Sequence, residues 1–241
     1  VVRAMFNKIP DVGIRNAKIG NAALYALSQT DDDAAIAQIA LLNAKTKYGP
    51  AKKYIEKVYQ EIADRRGVSL SELDQMARES IKLTRMGEYE KQIGDYTAVI
   101  RINKGGVSEL LWKTAEKEQK TLPAAIKNDK QLDDDVKELK ALKKDIDSLV
   151  ATAKFQLEQM YVRNVSLNGA EWRKKYIDDY LTGTLGRCLI WQVGEGDASE
   201  TVMYVADSFI SAKDELFKVS DDAIVRLWHP MMSDDSTRLA I

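Results

Sequence analysis

Among 241 residues there is one cysteine and one histidine. A lone Cys188 cannot form an internal disulfide framework and fits a reducing compartment. With His229 as the only histidine, the usual His/Cys zinc sites are excluded. No apolar run approaches the roughly 20 residues that a membrane-spanning helix needs, and no signal-peptide pattern is recognisable. Neither sign of charge prevails: 36 basic against 37 acidic side chains leave a net charge of −1. No global field would therefore draw in nucleic acid or anionic lipid. Phosphate and hydrolase motifs are missing too. Gly105-Gly106 and Gly183-Thr184-Leu185-Gly186 lack Walker or dinucleotide spacing, and there is no G-x-S-x-G elbow. What is present is 45% hydrophobic content, enough to bury a core in one large domain or two small ones.

Helical patterns fill the first third. Ile14–Gln29 is rich in Ala and Leu, and Asp31-Asp32-Asp33 precedes Ala34–Lys47. Acidic residues there meet free N–H groups and complement the helix dipole. Gly49-Pro50 stops one helix and starts the next. Pro50–Arg66 carries Tyr54, Ile55, Val58, Tyr59 and Ile62 on one face, and Arg65-Arg66-Gly67 ends it. Ser69 and Glu72 have capping-box spacing. These antiparallel helices are expected to form a HEAT-like fragment of a helical repeat.

The pattern then changes. Alternation from Tyr96 to Ile102 predicts a strand, Lys104-Gly105-Gly106 a turn, and Leu110-Leu111-Trp112 a returning strand. Asp133-Asp134-Asp135 opens the longest helix, with a stripe of Val136, Leu139, Ile146, Val150, Ala153, Leu157 and Met160 broken at Lys143. Asn164–Gly169 reads as a turn, Ala170–Leu181 as a helix and Gly183–Gly186 as a loop. Arg187–Val193, Thr201–Asp207, Glu215–Val219 and Ala223–Leu227 read as short strands. The expectation is an α+β fold, mostly helical, with two small antiparallel β regions. It divides into residues 1–84, helical; 85–130, a β insertion; and 131–241, the long helix, a second helix and a small sheet.

Single residues offer little chemistry. His229, between Trp228 and Pro230, reads as a structural histidine bonded to backbone. Cys188 reads as core filler in an alternating strand. Trp191 and Trp228 end apolar runs and are expected to anchor the terminal sheet. The Asp triplets lack the alternating oxygen ligands of a calcium loop and read as helix starts. Glu138, Asp145 and Glu158 read as a solvated face with Lys137, Lys140 and Lys144. No cofactor, no catalytic residue and no metal or molybdate site is expected.

A series of blocks resembles the bacterial family known as a domain of unknown function (DUF4132), also called molybdate-metabolism-regulator-like. These are Gly20–Leu27, Ala63–Ser69 with Glu72-Leu73, Lys120–Pro123, Leu142-Lys143-Lys144 with Gln156-Leu157-Glu158 and Met160, Arg187-Cys188-Leu189-Ile190-Trp191, and His229-Pro230. One departure is Thr182-Gly183, near the place where the family often has His-Pro. The resemblance implies a preceding HEAT-like region, sometimes a WGR module, and a continuation after His229-Pro230. The chain is accordingly expected to be a piece of a longer polypeptide.

Three functions are open to such a chain. The first is a non-enzymatic scaffold or interaction segment of a large cytoplasmic bacterial protein. It would bind another protein or the remaining domains of its own chain, and neither membrane nor nucleic acid. The second is part of an enzyme completed by missing regions, with His229, Arg187, Trp191 and Trp228 the residues nearest its site. The third is a molybdate-linked or nucleic-acid-associated regulator, which the balanced charge opposes.

Overall fold

The computed structural model describes residues 2–6, 8–9, 13–30, 32–46, 49–79 and 81–229. The Asp31 position, Pro230 and the residues after it lie outside these. The chain is α+β and mostly helical, at about 51% helix and 21% strand. It forms two compact units, Val1–Lys82 and Leu83–Ile241.

The first unit contains α1 (Val2–Phe6), a short pair β1 (Lys8–Ile9) and β2 (Gly13–Ile14), then α2 (Ala17–Ser28), α3 (Asp33–Lys45), α4 (Gly49–Arg66) and α5 (Leu70–Glu79). Local chemistry sets the helix starts. Asn16 Oδ1 accepts from Ile19 N, and Asp32 Oδ1 accepts from Ala34 N, both at 3.0 Å. Ser69 and Glu72 form the reciprocal capping box, with Ser69 N donating to Glu72 and Glu72 N donating to Ser69 Oγ. Gly67 ends α4 in the left-handed region, φ 65°. The core is Leu24, Ile36, Ile39, Ile55, Ile62 and Leu73. At its edge the Tyr59 hydroxyl, on a buried ring, donates to Asp74 at 2.9 Å.

The second unit opens with a four-stranded antiparallel meander, β3 (Glu88–Ile93), β4 (Tyr96–Ile102), β5 (Ser108–Lys113) and β6 (Glu118–Gln119). The sequence showed two of these strands. Arg101 ties the sheet, bonding Glu88 across β3 and reaching Glu118 at 3.2 Å. After α6 (Ala124–Asn128) comes α7 (Asp133–Val162), thirty residues long, and every member of its expected stripe is buried. Lys143 interrupts the stripe by bonding Asp147 one turn on, at 3.0 Å. Helix α7 packs against β5, where Ser108 Oγ bonds Asp147, and Lys91 of β3 meets Asp135 at 2.7 Å.

The remainder differs from the sequence expectation in detail. The Asn164–Gly169 turn contains a strand, β7 (Ser166–Asn168). The single helix expected over Ala170–Leu181 is instead α8 (Gly169–Trp172) followed by a π-helix, Arg173–Asp178. The expected loop Gly183–Gly186 is helical, α9 (Thr182–Gly186), and buried throughout. Strands β8 (Ile190–Val193), β9 (Glu200–Val205), β10 (Ser208–Ser211), β11 (Leu216–Phe217) and β12 (Ile224–Leu227) complete a six-stranded antiparallel sheet. Its order is β11-β10-β9-β8-β12-β7.

Candidate functional site

The segment from Asn168 to Trp191 places two of the four candidate residues, and its geometry starts with glycines. Asn168 Oδ1 accepts from Glu171 N at 2.8 Å, starting α8. A Cβ on Gly169 would lie 2.0 Å from Ser220 O, so only glycine lets α8 sit against the β11–β12 loop. Arg173 fastens that contact, donating to Asp221 at 2.5 Å and to Val219 O at 2.6 Å.

The backbone then widens into the π-helix, and the residues after it take up its last carbonyls. Thr182 Oγ1 donates to Lys175 O, and Arg187 Nη1 donates to Ile177 O. Buried Asp179 turns the chain between them, accepting from Leu181 N at 2.9 Å and Thr182 N at 2.7 Å. Helix α9 returns so closely that a Cβ on Gly186 would lie 1.9 Å from Tyr176 O. Arg187 Nη2 reaches a second main-chain oxygen, Arg85 O, at 2.8 Å. Both terminal nitrogens of Arg187 are thus committed to backbone, which makes it a strut between Ile177 and the segment entering β3.

Trp191 is 0% exposed. Its Nε1 donates to Gly186 O at 2.9 Å. Its ring meets Trp172 edge-on at 5.6 Å and Tyr176 at 5.5 Å, and Trp172 in turn meets Phe209 at 5.0 Å. This aromatic cluster, with Val193, Val202 and Val225, forms the inner side of the six-stranded sheet. Trp172 Nε1 is buried without a hydrogen-bond acceptor among the described residues. That omission costs about 1–3 kcal/mol, which the aromatic packing offsets.

Trp228 and His229 lie elsewhere. Trp228 N donates to Ile190 O at 3.1 Å, and the register Leu227↔Trp191 carries Trp228 opposite Ile190. Paired residues share a face and successive ones alternate, so Trp191 points inward and Trp228 falls on the outer side, half-buried. The His229 ring packs on Tyr161 of α7, centroids 4.3 Å apart. The structure therefore joins Arg187 to Trp191 and places Trp228 and His229 apart from them. Cys188 is exposed at the end of α9 rather than filling a strand, its thiol 3.4 Å from Thr184 O. The strand starts two residues later because the helical turn carries through Arg187 and Cys188. Among the described residues no three His, Cys, Asp or Glu side chains gather as a metal ion would need, and no helix is long and apolar enough to cross a membrane.

The outer side of the sheet holds a feature that the candidate residues only touch. Leu216 pairs with Ile210, Ile210 with Met203, and Met203 with Ile190. With Trp228, one residue past β12, they form one apolar row across the sheet. Leu216 is 80% exposed, Met203 42% and the neighbouring Val205 43%. The signal in the sequence was β9 itself: Val202 and Tyr204 alternate with Met203 and Val205, so both faces of that strand are apolar.

The chain is thus an α+β protein whose six-stranded sheet has an aromatic inner face and an apolar outer row. Residues 117–240, just over half the chain, match the model of the domain of unknown function (DUF4132). The chain belongs to that family. No curated protein and no solved structure matches it.

Proposed function

We propose that this chain is a non-enzymatic scaffold or protein-interaction segment of a large cytoplasmic bacterial protein, and that the outer side of its six-stranded sheet is the contact surface. The apolar row carries this reading. The solvated side of an antiparallel sheet ordinarily alternates to polar residues, and a contiguous exposed apolar patch marks a contact site. Charge argues for a protein partner. The adjacent row is Arg226, Gln192 and Thr201, and its one charge is already met by Glu195 at 2.9 Å. A phosphate backbone or anionic lipid would want unpaired cations there. The single exposed thiol, Cys188, fits a reducing compartment.

The test is quantitative cross-linking of the full-length protein in the cells that make it, wild type against a Met203→Glu/Leu216→Glu variant. The expected result is a defined set of protein cross-links that disappears in the variant while its melting midpoint is unchanged. Identical cross-links in both proteins would overturn the reading.

A further inference from the structure

The row has a size and a spacing, and together they select a shape of partner. Resting on the interaction reading above, we propose that the outer row binds an amphipathic α-helix of another protein, laid across the strands.

Size excludes the nearest alternative, a second copy of the chain packed face to face. Five partly exposed side chains in single file offer a patch on the order of a few hundred Å². A stable dimer needs roughly 800 Å² from each partner. The row is also narrow: Arg226, Gln192 and Thr201 flank it on one side, and on the other only Val205, paired with Ser208, extends it. A narrow apolar strip, polar along one whole flank, complements the stripe of one helix rather than the breadth of a second sheet.

Spacing points the same way. Neighbouring strands lie about 4.8 Å apart, so five strands span roughly 19 Å. A helix covers that length in about 13 residues and presents one apolar position per turn, about every 5.4 Å. A strand laid along the row would present same-side residues only about every 6.7 Å. The helical repeat stays nearly in step with the row, whereas the strand repeat falls out of step by about 2 Å at each residue. The chemistry is uncharged: large aliphatic side chains at i, i+3 or i+4, i+7 and about i+11, meeting Leu216, Ile210, Met203 and Ile190 in order.

The experiment places a benzophenone amino acid at Met203 or at Leu216 in the full-length protein, in the cells that make it. Both positions are well exposed, and Val205 replaces Met203 should the label there unfold the protein. The two positions are two strand steps apart, about 9.6 Å. On a bound helix this separates their cross-linked residues by about six or seven positions. A separation of about three, as on a strand, overturns the helix proposal and leaves the interaction reading intact. Cross-links to a second copy, or within the same chain, also overturn the helix proposal. The absence of any protein cross-link from both positions overturns the interaction reading itself.

Discussion

Replacing Gly186 with alanine isolates the tight return of α9 on the π-helix. A Cβ there would lie 1.9 Å from Tyr176 O and 2.8 Å from Tyr176 C, both main-chain atoms. No rotamer relieves such a clash; one backbone segment must move by about an ångström. Overpacking of this kind costs about 1–3 kcal/mol. The movement also strains two bonds that hold the junction, Thr182 Oγ1 to Lys175 O and Trp191 Nε1 to Gly186 O, each contributing about 1 kcal/mol. The expected loss is about 3–5 kcal/mol. For a unit of this size each kcal/mol moves the melting midpoint by about 2–4 °C, so a fall on the order of 10 °C follows. All four tryptophans lie in Leu83–Ile241, so tryptophan fluorescence reports this unit's unfolding alone. Gly105→Ala is the control: its Cβ would meet only the Asn103 side chain, at 3.3 Å, and should cost less than about 1 kcal/mol. If Gly186→Ala melts with the control, the close-approach reasoning is wrong.

Three further outcomes follow from the same structure. Trp191→Ala should cost about 3–5 kcal/mol in chemical denaturation, and Trp228→Ala less because its ring is half-buried; equal losses would contradict their opposite faces. Burial, reinforced by the Asp74 carboxylate, pushes the Tyr59 phenol well above its ordinary value of 10.0. A folded pKa raised in this way gives stability that is complete below about pH 10, where the unfolded phenol ionises, and is lost as pH rises further. Far-ultraviolet circular dichroism should therefore show a steeper alkaline loss of helix in wild type than in Tyr59→Phe, and parallel curves would refute the assignment. Arg187→Met removes the donors to Ile177 O and Arg85 O. Amide exchange should quicken around the π-helix and the residues entering β3, and unchanged protection would show the strut to be dispensable.

What the sequence revealed depended on how local the cause was. The α7 stripe, the Ser69–Glu72 box and the Gly67 stop are set within a few residues, and each stands in the structure as its pattern implied. The π-helix was illegible because its last carbonyls are held by Thr182 and Arg187, seven and ten residues further on. Gly183 and Gly186 resembled turn formers, but they serve close backbone approach, and the helical turn between them continues to Cys188. Strands β3 and β10 were missed because charged and polar residues such as Glu88, Glu90, Lys91 and Ser208 blunt their alternation. Of the candidate site, Trp191 was readable as an anchor. The outer row left its one trace in β9, apolar on both faces, because its other members sit on separate strands that only the register brings into line.

The position of β12 has a consequence for how the sheet is made. Among the described residues it is the last strand of this sheet to be synthesised, yet it lies inside the sheet, between β7 and β8. As the chain leaves the ribosome, Ser166–Asn168 and Ile190–Val193 emerge with a gap between them. Asn168 finds its partner only when Ile224 arrives. Until then β7 has no neighbour and β8 keeps an open edge, able to pair with the wrong chain. Closing so long a loop is entropically slow. The aromatic cluster under the sheet must wait for that insertion, which makes Ile224–Leu227 the kinetic gate of the sheet and a nascent chain stopped short of Ile224 an aggregation hazard.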